Sequence, residues 1–332
     1  FEFLHRIVLT DIKPPIYHQL MADKGEQLNR WVLSELKNKV ETIEGGFFDK
    51  FESYLTQPEY AVKEKKILKA AHYFATKWEF ELLRDMNKSL YGVQETEEAI
   101  NSQIVEYFDL AGVKALYGKE NIKHFLDLVG QLRFQQRWAR VTRIPETSVM
   151  GHMLIVAIFS YFATMQTNAC ESRIKHNFFG GLFHDLPEVL TRDIVSPVKN
   201  AVEGLGELLK EIERKQVEEK IFPLIPKHWQ QEFRYYTENE FDSKIMCNGQ
   251  IVILPPDEKP LAYNDDASQP IDGPLIRACD HFAAYIEAYL SLSQGVHSKH
   301  LTEAHQSLYK QYENENICGV DFGQLFDYFK IV

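Results

Sequence analysis

Apolar residues recur at helical spacing along most of the chain. Leu28, Trp31, Val32, Leu36, Val40 and Ile43 repeat at intervals of three and four, which marks one buried helical face, and Gly45 and Gly46 supply the stop. The segment before about Ala22, with Pro14 and Pro15, reads as irregular. Residues 47–55 predict a short helix closed before Pro58. Ile67, Leu68, Ala71, Phe74, Trp78, Leu82 and Leu83 predict the inward face of a long helix within 59–90, and Ile100, Ile104, Tyr107 and Phe108 that of another over 95–110. Residues 1–117 are therefore expected to form an N-terminal helical unit.

Beyond Gly118 the pattern resumes in a new register. Ile122, Phe125, Leu126, Val129 and Leu132 predict a helix whose C-terminal end delivers Arg133, Arg137, Trp138 and Arg140. Pro145 stops that helix, and Thr147 or Ser148 can cap the next, which runs to Met165 and carries His152 on the strip of Val156, Phe159 and Ala163. A helix over 172–183 ends at His184 and Asp185, with Pro187 opening the following turn. A charged helix over 204–221 and another over 229–241 follow. The proline-rich stretch 247–273 reads as a long irregular excursion with a brief strand at 250–254, a loop length associated with lids and interfaces. Residues 274–292 form the last strong helix, buried along Ile276, Cys279, Phe282, Ala283, Ile286 and Leu290, with Asp280 at the edge of that stripe. Residues 118–295 thus read as an all-α core, and 296–332 as a peripheral C-terminal tail.

Composition narrows the function classes. Hydrophobic residues at 45% and charged residues at 26% suit a folded globular chain. A formal net charge of -11 argues against a nucleic-acid or anionic-membrane surface, yet a local arginine cluster or a metal can still hold a small anion. Cys170, Cys247, Cys279 and Cys318 are scattered, as in a reducing compartment. No apolar run reaches membrane-spanning length and no signal-peptide pattern is present, so a cytoplasmic location is expected. The chain starts at Phe1 rather than Met, so a native N-terminus upstream is an expectation.

The segment 180–199, GGLFHDLPEVLTRDIVSPVK, concentrates polar chemistry among apolar neighbours. It places His184 beside Asp185, Glu188 one turn later and Asp193 beyond. Buried imidazole and carboxylate groups need partners, and a divalent cation takes both as ligands. His152 and Asp280, each facing inward on its own helix, complete such a set. His72 is read as a packing or surface residue, and the Asp265–Asp266 pair as a solvated loop, because the oxygen-ligand spacing of an EF-hand is absent.

The order H, HD, D on separate helices resembles the HD-domain superfamily of metal-dependent phosphohydrolases. Arg137-Trp138, the run HDLPEVLTRDIVSPVK and the late ACD resemble its bacterial 5'-deoxynucleotidase branch over about residues 120–292. The resemblance implies an HD-domain helical bundle with an additional N-terminal unit. It implies that His152, His184, Asp185 and Asp280 ligate one divalent metal, whether Co, Mn, Mg, Zn, Ni or Fe. Glu188 would position or deprotonate the attacking water, and Asp193 would bond the substrate or hold the water network. Arg137 would grip the phosphate and Trp138 would disfavour a 2'-hydroxyl, with Thr191 and Lys199 as further substrate contacts. The implied partner is a small nucleotide or other phosphomonoester. Gly151 departs from the branch, which usually places an acid directly before the histidine.

Two other functions fit the same fold class. Di-iron oxygenases and two-metal cyclic-dinucleotide phosphodiesterases use this scaffold with further histidines, but between Asp185 and Asp280 the chain offers only His228. A nucleotide-sensing protein without turnover is the other alternative. Homodimerisation through helical surfaces is a further expectation.

Overall fold

The computed structural model describes residues 1–10, 12–192, 202, 204–256 and 260–331; the expectations at Asp193 and Lys199 lie outside them. The chain divides into two compact units, Phe1–Glu120 and Asn121–Val332.

The first unit is helical: α1 (Glu2–Leu9), α2 (Pro14–Val40), α3 (Phe47–Thr56), α4 (Val62–Asn87), α5 (Val93–Gln103) and α6 (Ala111–Gly118). The opening residues, expected to be irregular, are α1 and the start of α2. The two prolines sit in the first turn of α2, where a missing N–H costs nothing because that position has no intrahelical acceptor. Phe1 packs its ring on Phe47, Phe51 and Tyr54. On α4 the buried side is that of Ala70 and Tyr73, which face Ile100, Ile104 and Tyr107. Ile67, Leu68, Leu82 and Leu83, expected inward, are exposed, as is Trp31 on α2. The long α4 is covered along one line only, and its periodicity alone did not identify which.

The second unit contains α7 (Glu120–Gly130), α8 (Val149–Met165), α9 (Glu171–Phe183), α10 (Glu188–Thr191), α11 (Leu205–Gln216), α12 (Lys227–Thr237), α13 (Gly273–Ser293), α14 (Lys299–Tyr312) and α15 (Phe322–Tyr328). Among the described residues, two antiparallel ribbons accompany them, β1 (Lys244–Cys247) with β2 (Gln250–Ile253) and β3 (Asn316–Ile317) with β4 (Val320–Asp321). The fold is an all-α bundle.

Helices α8, α9 and α13 form its centre. Gly181 lets α9 approach α8, since a Cβ there would stand 3.0 Å from Ala157 Cα and 2.9 Å from Ser160 Oγ. Gly180 faces the other way, and a Cβ on it would lie 2.6 Å from Ile276 Cδ1 of α13. Around this contact Val156, Tyr235, Ile271, Leu275, Phe282 and Phe326 form one buried cluster, while Phe125, Leu132, Met153, Leu186 and Ile221 form a second.

A buried polar network fixes the start of α13. Arg173 Nη1 lies 3.3 Å from Asp272 Oδ1, Asn177 Nδ2 donates to Asp272 Oδ2 (3.0 Å), and Asp272 N donates to Asn177 Oδ1 (2.8 Å). Arg173 and Asp272 are both fully buried, so their charges are tolerable only as a hydrogen-bonded pair.

Two expectations change here. The excursion is partly built into the helices: Asp266 Oδ1 accepts from Ser172 N (2.8 Å) and so caps α9, while Asp265 accepts from Ser268 N and Oγ. Short acidic side chains in a loop suit free helix-terminal N–H groups as well as they suit water, and sequence does not distinguish the two. The segment after Gly295 is not peripheral either. Leu301, Phe322 and Phe326 are buried, and Tyr285 of α13 donates its hydroxyl to Phe326 O (3.1 Å). Its apolar residues are too widely spaced among polar ones to announce that role.

Candidate metal centre

Helix α8 begins at Ser148, whose Oγ accepts from Gly151 N (3.0 Å), so the first turn is capped and His152 lies directly behind it, fully buried. Thus Gly151 contributes its backbone to the cap, and a side chain there would crowd Ser148 Oγ at 3.3 Å. Helix α9 ends at Phe183, with His184 as its C-terminal cap residue, and Pro187 precedes α10. This break turns adjacent side chains toward one point: His184 Nε2 lies 3.1 Å from Asp185 Oδ2. Asp280 arrives from α13.

Four side chains converge. His152 Nε2 is 2.9 Å from Asp280 Oδ1 and 3.8 Å from Asp185 Oδ2, and His184 Nε2 is 3.9 Å from Asp280 Oδ1. His152, His184 and Asp280 each offer a ligand atom within 4.8 Å of the others, the one such group among the described residues. Ligands about 2.1 Å from a shared ion stand roughly 3–4 Å apart, so the spacing suits a single first-row divalent ion.

The histidine tautomer agrees. His184 Nδ1 donates to Gly181 O (2.8 Å), which leaves the Nε2 lone pair directed at the carboxylates. That Nε2 is buried and makes no aligned hydrogen bond, an arrangement that a cation would satisfy. The donor set therefore fits a divalent metal, with His152, His184, Asp185 and Asp280 as the residues that would hold it. Without the ion, burial opposes charge on His184, but Asp185 and Asp280 outweigh it and raise its pKa to about 9. Burial likewise opposes charge on Asp280, yet its hydrogen bond from His152 and the charges of both histidines hold it far below the usual carboxylate range.

Arg137 and Trp138 border the cluster. They lie beyond α7 in a non-helical segment rather than at a helix C-terminus, because the helix closes at Gly130 and a short 3₁₀ turn over 131–133. Arg137 Nη1 is 3.5 Å from Asp185 Oδ2 and its Nε is 3.4 Å from Glu287 Oε2. Burial works against its charge, and Glu287, Asp280, Asp185 and Glu188 more than offset that, so the guanidinium stays protonated. Trp138 Nε1 donates to Glu287 Oε2 (2.8 Å). Glu188 is half-buried at the start of α10, one turn beyond His184 and Asp185.

Thr191 is not among the converging side chains; its hydroxyl donates to Glu213 Oε1 of α11 (3.3 Å). His228 is exposed at the start of α12. Two neighbouring groups were not anticipated from sequence, Glu287 and the buried Arg143, whose Nη2 is 3.9 Å from Glu287 Oε1. The available signal was spacing: Glu287 follows Asp280 by seven residues, two helical turns along the same face.

Residues 129–309, more than half of the chain, match the HD-domain family model, and the chain belongs to that family. Among curated proteins it is similar to a 5'-deoxynucleotidase of Vibrio vulnificus, at 23% identity over 185 residues covering 52% of this chain and 77% of the relative. A second 5'-deoxynucleotidase, from Pasteurella multocida, is 27% identical over 129 residues, 36% of this chain and 62% of the relative. Among solved structures, an HD-domain phosphohydrolase of Listeria innocua aligns at 19% identity with a TM-score of 0.45, covering 63% of this chain and 85% of that one. A cyanophage S-2L HD phosphohydrolase, bound to dA and one catalytic Zn2+, aligns at 16% identity with a TM-score of 0.40, covering 61% and 94%. No helix among the described residues is long and apolar enough to cross a membrane.

Proposed function

We propose that this chain is a metal-dependent phosphohydrolase that releases phosphate from nucleoside 5'-monophosphates, deoxyribonucleotides foremost. The observation that carries the reading is the convergence of two histidines and two aspartates on one point, with an arginine alongside. The similarity to two 5'-deoxynucleotidases supports the choice of substrate.

Phosphomonoester hydrolysis needs neutralised phosphoryl oxygens and a water in line with the leaving oxygen. A divalent ion held by His152, His184, Asp185 and Asp280 supplies charge neutralisation and a more acidic water. Arg137 presents a planar guanidinium to the phosphate oxygens. Glu188 takes the proton of the attacking water as the water oxygen bonds to phosphorus. The bond from phosphorus to the 5'-oxygen breaks, and that oxygen recovers a proton to leave as the nucleoside. Trp138 packs on the sugar and disfavours a 2'-hydroxyl. Asp193 bonds the substrate or holds the water network, and Lys199 is a further substrate contact.

The test is a panel of deoxyribo- and ribonucleoside 5'-monophosphates assayed for phosphate release with cobalt, manganese, magnesium or zinc. Release from deoxyribonucleotides ahead of ribonucleotides is expected. No release from any of them would overturn the proposal and favour the non-catalytic sensor.

A further inference from the structure

Glu287 occupies the inward face of α13 two turns beyond Asp280, and it is buried. Its carboxylate lies within 4 Å of four nitrogen-bearing side chains. Oε2 accepts from Trp138 Nε1 at 2.8 Å and lies 3.4 Å from Arg137 Nε, while Oε1 lies 3.8 Å from His152 Nδ1 and 3.9 Å from Arg143 Nη2. An independent observation concerns Trp138, whose φ of 57° lies in the left-handed region. A bulky residue stays there only where its surroundings hold it. The indole-to-carboxylate hydrogen bond is a direct hold, and the same carboxylate aligns the neighbouring Arg137.

We infer that Glu287 is a positioning residue that locks Arg137 and Trp138 together beside the metal ligands, so that phosphate grip and sugar selection are set by one carboxylate. This rests on the phosphohydrolase reading for its consequences in catalysis, but not for the hold itself. The charge on Glu287 secures the Arg137 guanidinium, whereas its hydrogen-bond acceptor secures the indole. A glutamine keeps the acceptor and loses the charge, and an alanine loses both.

The experiment compares Glu287→Gln and Glu287→Ala by NMR of the Trp138 indole N–H and the Arg137 Nε–H, assigned with Trp138→Phe and Arg137→Lys. In the alanine variant both resonances are expected to move toward solvent-exposed positions. In the glutamine variant only that of Arg137 should move. Bound metal per chain should match wild type in both. On nucleoside 5'-monophosphates KM should rise about tenfold in each variant, the size expected for losing one charge-assisted hydrogen bond, with a smaller change in kcat. The preference for deoxyribose should fall in the alanine variant alone. Unchanged Trp138 and Arg137 resonances in Glu287→Ala would overturn the inference, as would metal loss with those resonances in place. If the alanine variant does not fold, the Arg137 resonance in Glu287→Gln decides. Should wild type hydrolyse no nucleotide, the resonances still decide the hold while the substrate reading alone fails.

Discussion

His152 Nε2 stands 2.9 Å from Asp280 Oδ1, joining α8 to α13 across 128 residues of chain. The pair brings an imidazole nitrogen and a carboxylate to the point that His184 and Asp185 also face. A ligand that binds only the folded chain stabilises it by RT ln(1 + [L]/Kd), about 2.7 kcal/mol at a hundred times Kd. Adding a divalent metal to chelator-treated protein should therefore raise the thermal midpoint in a concentration-dependent way. His152→Ala and Asp280→Ala should show no such rise. Scanning fluorimetry with metal titration checks this, and a full wild-type response in Asp280→Ala would remove that residue from the ligand set.

Glu188 sits at the start of α10, one turn beyond His184 and Asp185. A group that moves a proton without holding the ion should be separable from the ligands. Glu188→Gln is expected to retain the metal-induced thermal shift while losing about 10²–10⁴-fold in kcat, the usual contribution of a general base. Metal content by elemental analysis, alongside initial rates, distinguishes the roles. Equal loss of metal and activity would assign Glu188 to the ligands instead.

The break at Pro187, a helix start capped at Thr147 or Ser148 and the inward placement of His152 and Asp280 were legible because each is a local signal of spacing or backbone chemistry, whereas the choice of Ser148 over Thr147 was not. What was not legible depended on the partner surface. Arg137 and Trp138 read as the end of α7, since nothing local shows that the helix closes at Gly130. Glu287 carries no local signal of its role, because the indole N–H that it accepts comes from Trp138, 149 residues away in sequence. Asp266 caps α9 from 94 residues away in sequence, a contact no window can contain. Phe322 and Phe326 lacked a sustained period yet complete the core.

Close approach of α8 and α9 depends on Gly181. A methyl group there would meet Ala157 Cα at 3.0 Å, a backbone atom that cannot rotate away. Gly181→Ala should push the helices apart and cost about 1–3 kcal/mol, the usual penalty of overpacking a filled interior. Because His184 donates Nδ1–H to Gly181 O, the same change should weaken metal affinity. Urea unfolding in chelator measures the first effect and metal titration the second; an unperturbed midpoint would mean the helices readily yield.

His176 offers a pH test separate from the metal centre. Its ring is buried between Tyr235 and Tyr236, with Nδ1 2.8 Å from the Tyr236 hydroxyl. Burial, helped by the positive charge of Lys175, lowers its pKa from 6.5 to about 4. Between those values the unfolded chain holds a proton that the folded chain does not, so stability falls as pH drops through that window. Above it the neutral ring costs nothing, and below it the penalty is complete. The urea midpoint of chelator-treated protein should fall between about pH 7 and about pH 5, and the fall should be smaller in His176→Gln, whose amide can still hydrogen-bond the Tyr236 hydroxyl without titrating. Parallel declines in the two proteins would place the acid sensitivity on other groups.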